Sequence, residues 1–526
     1  MLWVLSAIVL WRGRHTPTVP FNTVPCLVLC CVVIVWIQYA TGLVETLGSA
    51  FVSSLYLTGL FLALLVGATW ERWKPGQCAD FLFFAVLSGA TFSLLIQLQQ
   101  WLQIDPGTMF WLFVPTPPSR FHGNLGQPNQ LASLICLGVL ACAWLYETRR
   151  LPGWVAWGWA VMLAIGLVLT ESRTSWLVVL LTLALLLLLR KRLAIQRGLI
   201  VGSFSWAGLF ALGIAALPTV NVWLGRAAEA GQIRAISTGE LRLEFWLKTW
   251  EALLRRPWSG YGWTQTSYAQ FGPDPYAMVS DGTVRHAHNL LLDLGVGLGI
   301  PLGLVVCAAL AYWLIRALLR VNQPTQLWML LFVLTLGVHA MLEFPLHYAY
   351  FLLPVGLMLG SLNIALDFKP LLNVRRWPVA MVGLGLTGLG LAITVQDYLR
   401  IEDDFFSLRF EQQKLQPPSE RAAPDVIALT HLQDMTWLAR VDPSQIHTEQ
   451  DIERALRTMK LLPTLMANYK LAAMYAFAGQ TAQAEYWVVV MTRMNRPEER
   501  VVNNLRREWD EQAARFPAMA SVKWPN

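Results

Sequence analysis

A chain of 526 residues in which 55% are apolar and only 14% charged is not a row of soluble domains, which carry about 25% charge. Its net charge of +7 comes from basic residues scattered between apolar runs, and that excludes the clustered patch a nucleic acid needs. The seven cysteines, Cys26, Cys30, Cys31, Cys78, Cys136, Cys142 and Cys307, lie in or beside apolar runs, so their spacing gives neither a disulfide framework nor a thiolate metal site.

Residues 1–11 are apolar but too short to cross about 30 Å of hydrocarbon, and they lack a small-residue cleavage site. Runs of spanning length follow at 25–39, 48–69, 79–102, 128–147, 152–170, 174–190 and 198–217, filling an N-terminal transmembrane region over 1–217. A polar loop occupies 218–288. Further runs fall at 290–315, 326–342, 348–366 and 377–397 within 289–399, and a soluble tail takes up 400–526. The predicted fold is all-α, a polytopic transmembrane helix bundle of eleven or twelve spans with a large loop and a C-terminal helical tail. The 25 tryptophans suit two membrane interfaces.

The connections alternate in charge. One set carries Arg12, Arg14, Arg72, Lys74, Arg149, Arg150, Arg190, Lys191, Arg192 and Arg197, then Arg316, Arg320, Lys369, Arg375 and Arg376. The intervening short connections carry only Arg120 and Arg173. Basic loops stay cytoplasmic, so the loop 218–288 and the tail are expected outside the cytoplasm.

The polar residues gather on that outer side. In 120–130 (RFHGNLGQPNQ) a turn at Gly123 and Gly126 feeds a helix with Pro128 at its first position. Its free N–H groups, with Arg120 and His122, could hold a phosphate; the alternative is a plain glycine turn capped by Asn129 or Gln127. Arg173 stands where a helix enters the membrane, as a functional arginine or a snorkelling one. In the large loop, Ser237 and Glu240 form a capping box ahead of an apolar stripe of Leu243, Trp246, Leu247, Trp250, Leu253 and Leu254. Arg255, Arg256 and Pro257 close this helix, which belongs on the membrane surface or on the bundle. Trp258, Tyr261, Trp263, Tyr268 and Tyr276 follow, suited to sugar stacking and equally to interfacial anchoring.

The loop ends in 285–289 (RHAHN), where a histidine at the water boundary can act as a general base near neutral pH. A zinc site from His286 and His288 is the competing reading, without a carboxylate or cysteine at ligand spacing to complete it. His339, Glu343 and His347 recur four apart, but Pro345 ends any helix that would align them, leaving a polar cluster. Of the eight histidines, five lie on or near this face. A transporter would place polar groups at mid-bilayer with paths to both sides; these point to a site open to one compartment.

Together these residues resemble the O-antigen ligase and polymerase superfamily, and within it the bacterial O-linked protein oligosaccharyltransferases, or protein glycosylation ligases. The shared features are the large late loop, the pair His288-Asn289, and Gly299 in the following helix. Where the family often has a second small residue three positions later, this chain has Leu302. GNLGQPNQLA (123–132) and HAMLEFPLHYAYF (339–351) resemble the protein-glycosylating branch more specifically. The resemblance covers 25–400 well and the tail loosely.

It implies a multi-pass enzyme of the bacterial inner membrane whose active site faces the periplasm. Such an enzyme moves a glycan from an undecaprenyl-pyrophosphate carrier to serine or threonine hydroxyls of a periplasmic or pilin protein, with inversion and without metal or other cofactor. The carry-over makes His288 the general base. Arg173, Arg242 and Arg285 would stabilise the leaving pyrophosphate. Arg120, His122, Asn124, Gln127, Asn129, His286, Asn289, Glu343 and His347 are the candidate substrate-binding residues. Two rivals stand beside this reading: a sibling enzyme acting as ligase onto lipid A-core or as O-antigen polymerase, and a transporter or flippase. In the tail, Leu471, Ala472, Tyr475, Gly479, Ala484 and Pro497 roughly match one tetratricopeptide unit. Helices at 420–460 and 498–516 are expected to complete it, as an acceptor-contacting module or a plain helical cap.

Overall fold

The computed structural model describes residues 2–13, 17–104, 107, 120–225, 238–275, 285–413, 415, 423–494 and 499–525. Arg14, Ser237, Tyr276 and Pro497 lie outside them. The chain divides into two compact units, one of residues 1–26, 59–239 and 309–384, the other of 27–58, 240–308 and 385–526.

The elements run α1 (Leu2–Arg12), β1 (Thr18–Phe21), α2 (Thr23–Ala40), α3 (Leu47–Trp73), α4 (Gln77–Leu102), α5 (Pro128–Glu147), α6 (Gly153–Leu169), α7 (Arg173–Leu189) and α8 (Arg197–Trp223). The polar loop holds α9 (Thr238–Arg255) and the short α10 (Thr266–Ala269). Then follow α11 (Leu290–Arg320), α12 (Pro324–Ala340), α13 (Ala349–Ala365), β2 (Leu372–Arg375) and α14 (Arg376–Gln412). The tail holds α15 (Thr430–Arg440), α16 (Glu449–Leu461), α17 (Leu465–Phe477), α18 (Thr481–Met494), α19 (Glu499–Ala513) and α20 (Pro517–Ala520).

The protein is an all-α, multi-pass membrane protein with one small strand pair, and every predicted run is a helix. Seven of these helices are long and apolar enough to cross a membrane; α6, α7, α12 and α13 are apolar helices of 17 residues, at the short end of the spanning range. Helix α8 runs past the expected end at 217 to Trp223, through Pro218, and Asn221 beyond the proline accepts a hydrogen bond from Trp101 Nε1 at 3.1 Å. The β1–β2 pair, antiparallel with Thr18 opposite Arg375, was not expected. Strands of four residues leave no periodicity to read.

Within the first unit, α3 and α13 meet backbone to backbone. Gly356 and Gly360 are spaced as in a small-xxx-small face, and a Cβ on Gly360 would stand 2.1 Å from Leu64 O. Helices in lipid gain dispersion contact through such close approach, because burial against lipid tails offers no hydrophobic gain. Phe83 stacks on Trp144, with centroids 4.9 Å apart, to join α4 and α5.

Within the second unit, α11 breaks in the middle. Gly299 takes φ 78° and ψ 168°, and the backbone groups this leaves unpaired find new partners. Val296 O accepts from Tyr261 N–H and Ile300 N–H donates to Pro257 O, each at 2.7 Å. Gly297 O accepts from Gln38 Nε2 at 2.8 Å. Inside lipid each unsatisfied group costs several kcal/mol, so the loop residues after α9 complete the helix they pack against.

Helix α9 buries Thr249, Ala252 and Leu253 but leaves Leu243, Leu247, Trp250 and Leu254 exposed. Those four share one face, as in a helix lying in a bilayer interface. Tyr261 and Tyr268 are buried, while Trp258 is 80% exposed; the aromatic run therefore mixes packing residues with one surface indole.

The tail forms its own core, with Leu471, Ala472, Tyr475, Ala484, Trp487 and Trp509 buried between its helices. Gly479 turns α17 into α18 at φ 74°. The tail is also anchored: Asp397 accepts from the N–H groups of Ile427, Ala428 and Leu429 at 2.7–3.1 Å. Arg440 pairs with Asp404 and Glu411 at 2.7 and 3.3 Å. Phe271 of the loop packs on Trp487, and Tyr486 donates to Gly272 O at 2.7 Å.

Candidate active site

Asn289 is the cap of α11. Its Oδ1 accepts from the N–H groups of Leu291 and Leu292 at 3.0 and 3.2 Å, satisfying donors that a helix start leaves without partners. Just before the cap, His288 sits at φ 52°, a left-handed conformation that side-chain-bearing residues adopt at a cost. Asp293, one turn into the helix, folds back across this segment. Its Oδ1 accepts from Ala287 N–H at 2.8 Å and from Thr266 Oγ1 at 2.9 Å. The half-buried His288 imidazole stacks on Phe245 of α9, with centroids 6.2 Å apart and planes at 24°.

Thr266 is itself fixed. Gln265, next to it, accepts from Glu45 N–H at 3.2 Å and donates to Leu43 O at 2.6 Å. Tyr268 OH donates to Arg457 O of α16 at 3.2 Å. The tail thus braces the short helix whose threonine holds Asp293, and Asp293 holds the peptide N–H preceding His288.

Arg242 lies three residues before Phe245 on α9, hence on an adjoining part of the same face, and is half-buried. Arg285 is exposed and His286 half-buried. An extended strand through 286–288 would have turned both imidazoles the same way. The left-handed backbone at His288 replaces that arrangement.

The other unit gathers a second polar group. Arg120 Nε and Nη2 both donate to Thr170 O, at 2.8 and 2.6 Å, and Nη2 reaches Asn129 Oδ1 at 3.3 Å. Asn129 Oδ1 also accepts from Ser172 Oγ at 2.8 Å, while its Nδ2 donates to Glu343 Oε1 at 3.2 Å. Asn129, at the start of α5, therefore joins the ends of α6, α7 and α12. Ser133 Oγ and His339 Nδ1 meet at 2.8 Å, and Tyr350 OH donates to Gln130 Oε1.

The loop before α5 is built around Gly123, whose N–H and carbonyl both bond the Gln100 amide, at 3.0 and 2.8 Å. His122 is buried with Nδ1 3.1 Å from Gly123 O. Burial pushes its imidazole below the usual histidine range. Asn124 is exposed and accepts from Ser93 at 2.7 Å; Gln127 is the N-cap of α5 but makes no side-chain capping bond.

Arg173, the first residue of α7, is exposed and makes no hydrogen bond or ion pair with the described residues. His347 ends a 3-10 turn at Pro345–His347, exposed and edge-on to Phe344. Of the three residues four apart, the structure draws His339 and Glu343 into the polar group and leaves His347 at the surface. Among the described residues no group of three or more histidine, cysteine, aspartate or glutamate side chains could hold a metal ion.

Sequence reasoning passed over Asp293 and Thr266. Asp293 carried a usable signal, an acid inside the apolar run LLLDLGVGLG, where an ionisable residue is a functional candidate by default. Thr266 carried none.

Residues 158–307 match the O-antigen ligase family, 327–501 the C-terminal region of virulence factor membrane-bound polymerases, and 122–146 the protein glycosylation ligase family. A general O-oligosaccharyltransferase of Acinetobacter baylyi is 27% identical over 515 residues, 94% of this chain and 86% of that protein. A ComP-specific O-oligosaccharyltransferase of the same organism is 27% identical over 331 residues, 63% of this chain and 59% of that one. No solved structure matches the chain. The fold and these matches define a multi-pass membrane glycosyltransferase. The chain is similar to the bacterial O-linked protein oligosaccharyltransferases of the O-antigen ligase superfamily.

Proposed function

We propose that the protein transfers an oligosaccharide from undecaprenyl pyrophosphate to a serine or threonine hydroxyl of a periplasmic or pilin protein, at the outer face of the bacterial inner membrane. The observation that carries the reading is the similarity to a general O-oligosaccharyltransferase across 94% of the chain. The alternation of basic connections supports the orientation.

In this reading His288 takes the proton of the acceptor hydroxyl as that oxygen attacks the anomeric carbon. The bond from that carbon to the pyrophosphate oxygen breaks on the opposite side, and the configuration inverts. The departing undecaprenyl pyrophosphate gathers negative charge, and Arg242 and Arg285, on the segments flanking His288, supply fixed positive charge to it without a metal. Helix α11 begins two residues after His288, and its start adds a partial positive charge of the same sign. Arg173 remains an anionic-group contact to be tested by itself.

The O-antigen ligase match over 158–307 favours, as a second reading, transfer onto lipid A-core or a growing polymer. Presenting the purified protein with lipid-linked glycan and three acceptors in parallel (a pilin-like protein, lipid A-core and a second lipid-linked glycan) separates them. Modification of the protein acceptor, persisting in EDTA, is expected; exclusive modification of either lipid acceptor would replace this reading with the second.

A further inference from the structure

A cavity of about 310 Å³ lies among α5, α6, α7 and α8, reached also by α12. On α5 its wall begins at Cys136 and ends at Tyr146, on α6 it spans Gly153 to Ala160, and on α8 Gly198 to Trp206. Asn129, Thr170 and Glu343 lie at the opposite ends of α5, α6 and α12, so this cavity is separate from the polar group they form.

Its surface changes character with depth. The wall is almost wholly hydrocarbon. Trp328, one turn into α12, also lines the cavity and is only 2% exposed. At the helix ends that bound it, Arg149 and Arg150 stand in the chain between the lining residues Tyr146 and Gly153, and Arg197 adjoins Gly198. Arg150 pairs with Asp80 at 2.6 Å. Arg149 and Arg197 are exposed and have no ion-pair partner among the described residues.

An apolar wall bounded by cationic helix ends follows the order of an anionic phospholipid: acyl chain, then phosphate. We propose that this cavity binds an anionic phospholipid of the bilayer, with one acyl chain against α6 and α8 and the phosphate at the helix ends that carry Arg149 and Arg197. Basic pockets between transmembrane helices take anionic head groups, at about 1 kcal/mol per arginine or lysine. The reading does not depend on the transfer reaction.

The test uses the full chain, reconstituted in vesicles of equal phosphatidylglycerol and phosphatidylethanolamine, then released in detergent and weighed by native mass spectrometry. Phosphatidylglycerol should stay bound to the wild-type chain in preference. Arg149→Gln and Arg197→Gln, both at exposed positions, should each lower its retention about fivefold. Gly202→Leu should abolish it by filling the cavity. A Cβ at Gly202 meets nothing nearer than the Trp157 ring at 3.8 Å, so this variant should keep the wild-type thermal midpoint. Equal retention of the two lipids, or unchanged retention in Gly202→Leu, would overturn the proposal. So would displacement of the bound lipid by stoichiometric undecaprenyl pyrophosphate, which would give the cavity to the glycan donor.

Discussion

His288 is held in a conformation that costs about 1–3 kcal/mol, and three hydrogen-bonded neighbours keep it there: Asn289 as the cap, Asp293 on the preceding N–H, and Thr266 on Asp293. Removing the Thr266 hydroxyl leaves the shape and loosens the aspartate. Thr266→Val should lower kcat about tenfold, the size of one lost hydrogen bond, with KM nearly unchanged, and Thr266→Ser should restore most of it. A drop that the serine does not rescue, or one matched by an equal loss of thermal stability, would make Thr266 merely structural. The sequence marks His288 through its place at a loop-to-helix boundary. It cannot mark Thr266, whose partner lies 27 residues away, because that pairing exists only once the loop has folded onto α11.

The break in α11 shows how an element can be legible while its support is not. Gly299 stood out through the family resemblance, but the residues that accept and supply the freed hydrogen bonds, Gln38, Pro257 and Tyr261, come from distant stretches. At Gly299 a Cβ would lie 2.3 Å from Trp258 O, on a backbone with φ 78°. Gly299→Ala should therefore destabilise the protein by roughly 2–5 kcal/mol, summing left-handed strain and a clash with backbone. The thermal midpoint in detergent measures it; an unchanged midpoint would mean the break is soft. Leu302, where a second small residue was expected, is 44% exposed, so the larger side chain meets no crowded neighbour. The surface helix α9 was legible from its apolar stripe, yet which part of that stripe is covered by protein depends on where Tyr261 and Tyr268 fold back.

For the whole molecule, hydropathy and charge carried most of the information. All eleven predicted runs are helices, because a membrane span must satisfy its backbone internally and so writes a long apolar signature. The β1–β2 pair and the docking of the tail on loop residues 268–272 have no such signature. The charge alternation predicts one compartment for loop and tail. Reporter fusions after Gly260 and after Gln450 should both report the periplasm, and opposite compartments would break the topology. The central claim is protein-directed glycan transfer with His288 as base, and it is tested most directly by the intact mass of a pilin-like acceptor after incubation with undecaprenyl-pyrophosphate-linked glycan. Wild-type, His286→Ala and His288→Ala chains are compared at matched amount and fold. The account predicts one added glycan per modified hydroxyl with the wild-type chain, a slower gain with His286→Ala, and a rate lower by about 10²–10⁴-fold with His288→Ala. An acceptor that gains no mass with the wild-type chain, or gains it as fast with His288→Ala, would contradict it.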